Sequence, residues 1–231
     1  MLPIISVLLG LFFFLFSGIA SAKSYGTQLC ANDPQFSCYT VKKGDTWQKL
    51  FANETERDLV MRINRMNIPL VRNMKIAIPK NTSNNNFMDY SPFAKRIDPP
   101  GKKVIFVSIN NLAFGAYNEQ GDLERWGPVS TARGYCPDLG HGCHTALGKF
   151  SVYRKGGFHC VSKKFPIGRG GAPMPYCMFY HGGFALHGSY QVPGYNDSHG
   201  CIRLFVNDAQ WLNEEFVTST KNEVAVVIRR E

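Results

Sequence analysis

Seven cysteines follow an apolar N-terminal run that ends in a small-x-small triplet, and these two features together set the compartment and the covalent framework. Ile4 to Ile19 is almost unbroken apolar sequence and Ala20-Ser21-Ala22 follows it, which is the pattern of a secretory signal. Residues 1–22 are therefore expected to be removed, and the product to be secreted to a periplasm or cell wall. No Lys or Arg precedes the run, so an uncleaved membrane anchor stands as the alternative. Cys30 lies too far beyond the run to be a lipid-modified residue. In an oxidising compartment cysteines pair, and seven cannot all do so. Cys30, Cys38, Cys136, Cys143, Cys160 and Cys177 sit in loop-like, Gly- and Pro-containing surroundings. The nearest-neighbour set, Cys30 with Cys38, Cys136 with Cys143 and Cys160 with Cys177, is favoured. Cys201 is left over, inside a dense polar motif.

The net charge of +9 is carried after the apolar run. Such a balance favours anionic polymers, and export makes a bacterial wall the expected partner rather than nucleic acid. No dense Lys/Arg run is present, so an ordinary solvated basic surface accounts for it equally well. The remaining length suits one domain of ordinary size and a small one.

The small unit comes first. Tyr39 to Lys42 reads as a strand, and Gly44-Asp45-Thr46 as a turn and helix start, with Asp45 or Thr46 able to cap. Trp47, Leu50 and Phe51, then Leu59, Val60, Ile63 and Met66, follow helical spacing until Asn67. Met74 to Ile78 closes a β-α-α-β unit before Pro79. Tyr39-Thr40-Val41, Gly44-Asp45-Thr46-Trp47, Ile63-Asn64, Asn67 and Ile76-Ala77-Ile78-Pro79 together resemble a LysM peptidoglycan-binding module over 33–80. The resemblance implies affinity for wall glycan. Asn73-Met74 stands where that family usually has a glycine before its last strand. A structural cap on the catalytic domain is the competing reading.

Residues 81–101 are polar and then Pro-interrupted, and read as a linker without regular structure. From 102 to 231 the sequence is mainly β. Lys103 to Ile109, Leu112 to Tyr117, Gly148 to Tyr153, Phe184 to His187 and Val224 to Ile228 are the expected strands. Asn207 to Phe216 is expected to form a helix capped near Asn207.

The chemistry concentrates in His187-Gly188-Ser189, Pro193 to Asp197, and Ser198-His199-Gly200-Cys201-Ile202-Arg203-Leu204. A thiol attacks as thiolate, and a nearby imidazole or guanidinium lowers its pKa towards neutrality. Gly200 lets a carbonyl substrate approach the backbone, and an N–H of that turn can face a developing oxyanion, worth about 3 kcal/mol per donor. A His strand followed fourteen residues later by a Cys loop is a nucleophile and base pair.

The His-Gly then Ser-His-Gly-Cys-Ile-Arg pattern resembles the L,D-transpeptidase (YkuD-type) catalytic domain. Pro128-Val129-Ser130-Thr131, Thr145 to Phe150 and Met174-Pro175-Tyr176 match as well, so the resemblance runs from about Lys103 to Arg230. It implies a β-sandwich-like domain with one or two short helices and no cofactor or metal. Cys201 is then the nucleophile and His187 the base, with the Gly188 carbonyl orienting the imidazole. His199, Ser198 and Arg203 shape the nucleophile loop, and amides near Gly200 and Cys201 form the oxyanion hole. Met174, Tyr176, Ser189 and Tyr190 are assigned to substrate binding. The implied substrate is a peptidoglycan tetrapeptide stem, cleaved before its terminal D-alanine. The acyl group then passes to another stem, to a wall-anchored protein, to a free D-amino acid or to water, and carbapenems are implied inhibitors. Segment 133–181 departs from the family with four extra cysteines, and is expected to be a disulfide-braced wall or lid hinged at Gly156-Gly157 and Gly170-Gly171.

Rival readings are specific. His141-Gly142-Cys143 repeats the motif's centre but lacks the upstream His strand and the Arg. A zinc site would gather His141, Cys143, His144, His159 and Cys160, though an oxidising compartment favours disulfides. Other Cys/His wall peptidases, including L,D-carboxypeptidases and papain-like enzymes, share the residue types, but in the papain-like order the cysteine comes first. Outside enzymology, an inactive wall-binding protein is the alternative.

Overall fold

The computed structural model describes residues 24–81, 86–164, 171–221 and 223–231. The expected signal segment lies outside them, as does Gly170 of the second proposed hinge.

The chain enters through α1 (Tyr25–Asn32), capped by the Ser24 hydroxyl, which accepts from the Thr27 amide. The sequence reading has no helix here, because α1 is short, weakly patterned and contains a glycine. Gly26 is needed, since a Cβ there would stand 2.1 Å from the Asn64 amide oxygen. The Cys30–Cys38 disulfide ties α1 to β1 (Phe36–Thr40), which pairs antiparallel with β2 (Lys75–Pro79). Between them lie α2 (Trp47–Leu50), capped by Thr46, and α3 (Glu54–Ile63), capped by Asn53. Asp45 does not cap. Its carboxylate accepts from the Lys42 amide and the Tyr39 hydroxyl, and these bonds hold it below the usual carboxylate range. Val41, Trp47, Phe51, Val60, Met66 and Ile76 form the small core. α3 stops at Ile63, earlier than its apolar spacing suggests, because Arg65 turns left-handed at φ 55°.

The second part carries β3 (Lys103–Ser108), β4 (Ala113–Tyr117), β5 (Leu123–Ser130), the hairpin β6 (Gly134–Cys136) and β7 (His141–Cys143), β8 (Gly148–Ser151), β9 (Arg154–Lys155), β10 (Met178–His181), β11 (Phe184–Gly188), β12 (Ile202–Leu204) and β13 (Val224–Arg229). Nine of these form one sheet in the order β8-β13-β3-β4-β5-β12-β11-β10-β9. The sheet curls until its ends meet, with the Phe150 ring 5.4 Å from that of Tyr180. Inside the curl pack Ile105, Phe114, Val129, Met178, Leu186, Ile202, Leu204, Leu212 and Phe216. α4 (Val206–Trp211) continues into one π-helical turn, Leu212–Phe216, and starts at Phe205 without a side-chain cap. The mainly β class with few short helices is as expected. β5, β6, β7, β9, β10 and β12 are additional strands; β5 runs unbroken through Gly127-Pro128, which read as breakers, and the others are short.

The two parts share a buried seam. Arg62 of α3 meets Asp208 of α4, and Arg65 stacks between Tyr25 and Trp126, with its guanidinium 4.5 and 4.6 Å from the two rings. After residue 86, Phe87–Tyr90 forms a short 3₁₀ turn where no regular element is expected from sequence. The Phe87 carbonyl accepts from the Trp126 indole at 2.8 Å.

Candidate active site

β11 and β12 run side by side in parallel, with Leu186 opposite Ile202, His187 opposite Arg203 and Gly188 opposite Leu204. Side chains alternate along a strand, so His187 and Arg203 share one face. Cys201, two residues before Arg203, falls on that face at the mouth of β12. It is the one free cysteine, and the other six form the three nearest-neighbour disulfides expected from the sequence.

His187 is buried, and its Nδ1 lies 2.9 Å from the Gly188 carbonyl. A carbonyl only accepts, so Nδ1 carries the proton and Nε2 keeps its lone pair free to take one. Burial pushes the imidazole pKa down to about 4, with the Arg203 charge adding to the effect and the Gly188 bond opposing it. Burial also pushes the Cys201 thiol up, while the Ala185 backbone and Arg203 pull it back. The resting pair is therefore a thiol beside a neutral imidazole. The sequence reading expects a nearby imidazole or guanidinium to lower the thiol pKa towards neutrality; here desolvation outweighs the favourable charge and the shift runs the other way.

The nucleophile loop is held by its own hydroxyls. Ser198 Oγ donates to the Cys201 carbonyl at 2.6 Å and accepts from the Gly200 amide at 3.0 Å, and Thr145 Oγ1 donates to the Gly200 carbonyl at 2.9 Å. The Gly200 N–H is thus already engaged, which leaves this amide out of the oxyanion hole expected from sequence. Gly200 has φ 144°, and a Cβ on it would stand 2.3 Å from the Phe184 ring. The close approach that demands glycine is therefore made by Phe184.

His199 turns outward, with Nε2 at 2.9 and 2.8 Å from the two oxygens of Asp138. Asp138 sits in the loop closed by Cys136–Cys143, and the Cys143 sulfur is 3.9 Å from the Ser198 carbonyl. Arg203 donates to the Gln191 carbonyl at 3.2 Å and to Asp197 at 3.4 Å.

Of the expected substrate residues, Met174 is buried with Cys177, Phe179 and Ala185 in the apolar cluster against which Cys201 packs. Tyr176 is left-handed at φ 58° and packs against the main core. Ser189 Oγ accepts from the Gln191 amide, and Tyr190 is exposed. Tyr180, Asn67, Asp138 and Thr145 complete the surroundings, and the sequence reading gives none of them a role at the site. Tyr180 has a buried hydroxyl with no partner, and its phenol is pushed far up by burial, with Cys201 adding to the effect.

Among the described residues, the zinc reading loses its sulfur ligands. Cys143 and Cys160 of the zinc reading are in disulfides. Cys136, Asp138 and His199 bring donor atoms within 4.8 Å, but an oxidised Cys136 offers no thiolate. The same bridge occupies Cys143 as a rival nucleophile.

Residues 102–228 match the family model of the YkuD L,D-transpeptidase catalytic domain. The chain belongs to the L,D-transpeptidase family. Its fold is similar to that of the L,D-transpeptidase (residues 123–326) from Xylanimonas cellulosilytica, at 21% identity and a TM-score of 0.51, covering 69% of this chain and 74% of that one. An L,D-transpeptidase from Stackebrandtia nassauensis has 23% identity and a TM-score of 0.45, with 60% of each chain covered. L,D-transpeptidase 3 from Mycobacterium tuberculosis, solved with a faropenem-derived adduct, has 19% identity and a TM-score of 0.42, covering 55% of this chain and 60% of that one. No curated relative matches the chain. His187, Cys201 and Arg203 fall within the matched residues, while residues 24–101 lie outside the family match.

Proposed function

We propose that the protein is a peptidoglycan L,D-transpeptidase with Cys201 as nucleophile and His187 as base. The observation that carries this reading is the placement of one unpaired thiol on the face of a His whose Nδ1 is fixed by Gly188. The thiol attacks the carbonyl of the third residue of a tetrapeptide stem while Nε2 of His187 takes its proton. That proton passes to the departing D-alanine amine as the thioester forms. An incoming amine then attacks the thioester, and the sulfur leaves and is reprotonated. With a second stem the product is a 3-3 crosslink, with a wall protein an anchored chain, and with water a tripeptide.

Residues 33–80 are proposed to act as a LysM-like glycan-binding module, followed by a connecting segment to residue 101 and the catalytic domain over 102–231. A cavity of about 450 Å³ lined by Thr40, Lys42, Lys43, Arg72 and Asn73 supports that reading. Asn73, which stands where the resemblance places a glycine, holds φ 72°, a conformation that suits glycine and that Asn tolerates. Such an enzyme works outside the cytoplasm, in keeping with a cleaved signal over 1–22. The test is mass spectrometry of products from the chain beginning at residue 23 incubated with a tetrapeptide muropeptide. Release of D-alanine with a crosslinked dimer or tripeptide, lost in Cys201→Ala, supports the reading. Unchanged substrate would sink it.

A further inference from the structure

The N-terminal part reaches the segment before the nucleophile loop through the Tyr25 amide, which donates to the Gly194 carbonyl at 2.8 Å, and through the side chain of Asn67. Asn67 Nδ2 donates to the Ser189 carbonyl at 2.8 Å, and Asn67 Oδ1 accepts from the Val192 amide at 2.9 Å. Its own amide donates to the Val192 carbonyl at 2.9 Å, and the preceding Met66 bridges to Pro193. A planar carboxamide offers donor and acceptor together, so it acts on this segment as a neighbouring strand would. The segment it grips is the one that leaves His187-Gly188 and leads to the nucleophile loop.

Gln191 lies between the two gripped residues, and its carbonyl accepts from Arg203 at 3.2 Å. Arg203 stands opposite His187 in the sheet register, and its charge favours the ionised form of Cys201. Among the described residues, Tyr180 of β10 and Arg203 of β12 are the titratable groups that act on the thiol, and His187 of β11 shares the face of Arg203. Asp197 and Arg133 face the guanidinium from the loop side. Among these described groups, Arg203 is the one whose partner carbonyl is fixed from outside the catalytic domain.

We propose that Asn67 is a positioning residue of the catalytic site: by gripping Ser189 and Val192 it sets the Gln191 carbonyl that aims Arg203 at Cys201. The N-terminal module is then part of the catalytic machinery as well as a wall-binding attachment. The inference rests on the reading of Cys201 as nucleophile.

The test is the pH dependence of Cys201 alkylation by iodoacetamide in the chain beginning at residue 23. The wild type is compared with N67A, R203Q, the double variant and N53A. Asn53 caps α3 in the same module without touching the 189–193 segment, so N53A controls for lost stability. Asn67→Ala is expected to move the ionisation midpoint to higher pH and slow alkylation about threefold below it. Arg203→Gln is expected to move it further, and the double variant no further than R203Q, because both act through one charge. N53A should melt earlier yet keep the wild-type profile. A wild-type profile in N67A, or effects of N67A and R203Q that simply add, would overturn the proposal. Absence of muropeptide products from the wild type would sink the transpeptidase reading while leaving the alkylation result standing.

Discussion

Arg62 and Asp208, separated by 146 residues, form a two-pronged ion pair sealed from solvent, with Nη1–Oδ2 at 2.8 Å and Nη2–Oδ1 at 3.0 Å. Burial by itself pushes the Asp208 carboxyl up, and Arg62 and Arg125 pull it back. The paired geometry favours the ionised state, with Asp58 also holding Arg62 charged.

Removing one partner strands the other. Asp208→Ala is expected to destabilise by about 3–5 kcal/mol, because it leaves the buried Nη groups of Arg62 without their carboxylate while Asp58 still holds Nε. The pair Arg62→Met with Asp208→Leu is expected to recover most of that loss. Urea unfolding of the two variants checks it, and an Asp208→Ala variant as stable as wild type would show that the seam opens in solution.

The buried imidazole gives a pH signature. The folded pKa of His187 is about 4 against an ordinary value of 6.5, so between those limits the unfolded chain binds a proton that the native state refuses. Stability therefore falls as pH drops from 6.5 to about 4, by about 3 kcal/mol in full from this residue. Above 6.5 the residue has no effect on the pH slope. His187→Gln should lack this component, so the difference between the two unfolding free energies should change across that window and stay flat above it.

The disulfide hairpin should act on the loop more than on the fold. Asp138 is exposed and meets His199 two residues before Cys201. Asp138→Asn is expected to lower turnover roughly tenfold, less than the loss from a full ångström of misplacement, with little change in melting temperature. Mild reduction of the bridges should likewise lower turnover more than melting temperature. Equal loss of both would make the hairpin a stability element only.

The candidate His–Cys pair was legible as a pair of neighbours because its information is local. His187 and Cys201 lie in short motifs, and the Cys136–Cys143 partners stand seven residues apart. The seam was not legible. Arg62 and Arg65 look like the solvated side of a helix, and the partners that justify their burial come from Asp208, Asn111 and Trp126, far along the chain. The charge state at the site was misread for a related reason. Sequence names the neighbours of a thiol, but desolvation depends on how Met174, Cys177, Phe179 and Ala185 close around it. The spare amide expected of Gly200 was likewise hidden by Ser198, whose hydroxyl claims it.

The most direct test of the central claim is intact-mass analysis of the oxidised chain after exposure to a carbapenem, with peptide mapping of the adduct. The strained amide offers Cys201 the same acyl transfer as the stem peptide. One drug mass should appear, on the peptide containing Cys201. It should be absent in Cys201→Ala and should form markedly more slowly in His187→Ala. Iodoacetamide should find Cys201 as the sole thiol that alkylates without prior reduction. An adduct on Cys143, or several free thiols in the untreated protein, would contradict both the cysteine assignment and the mechanism built on it.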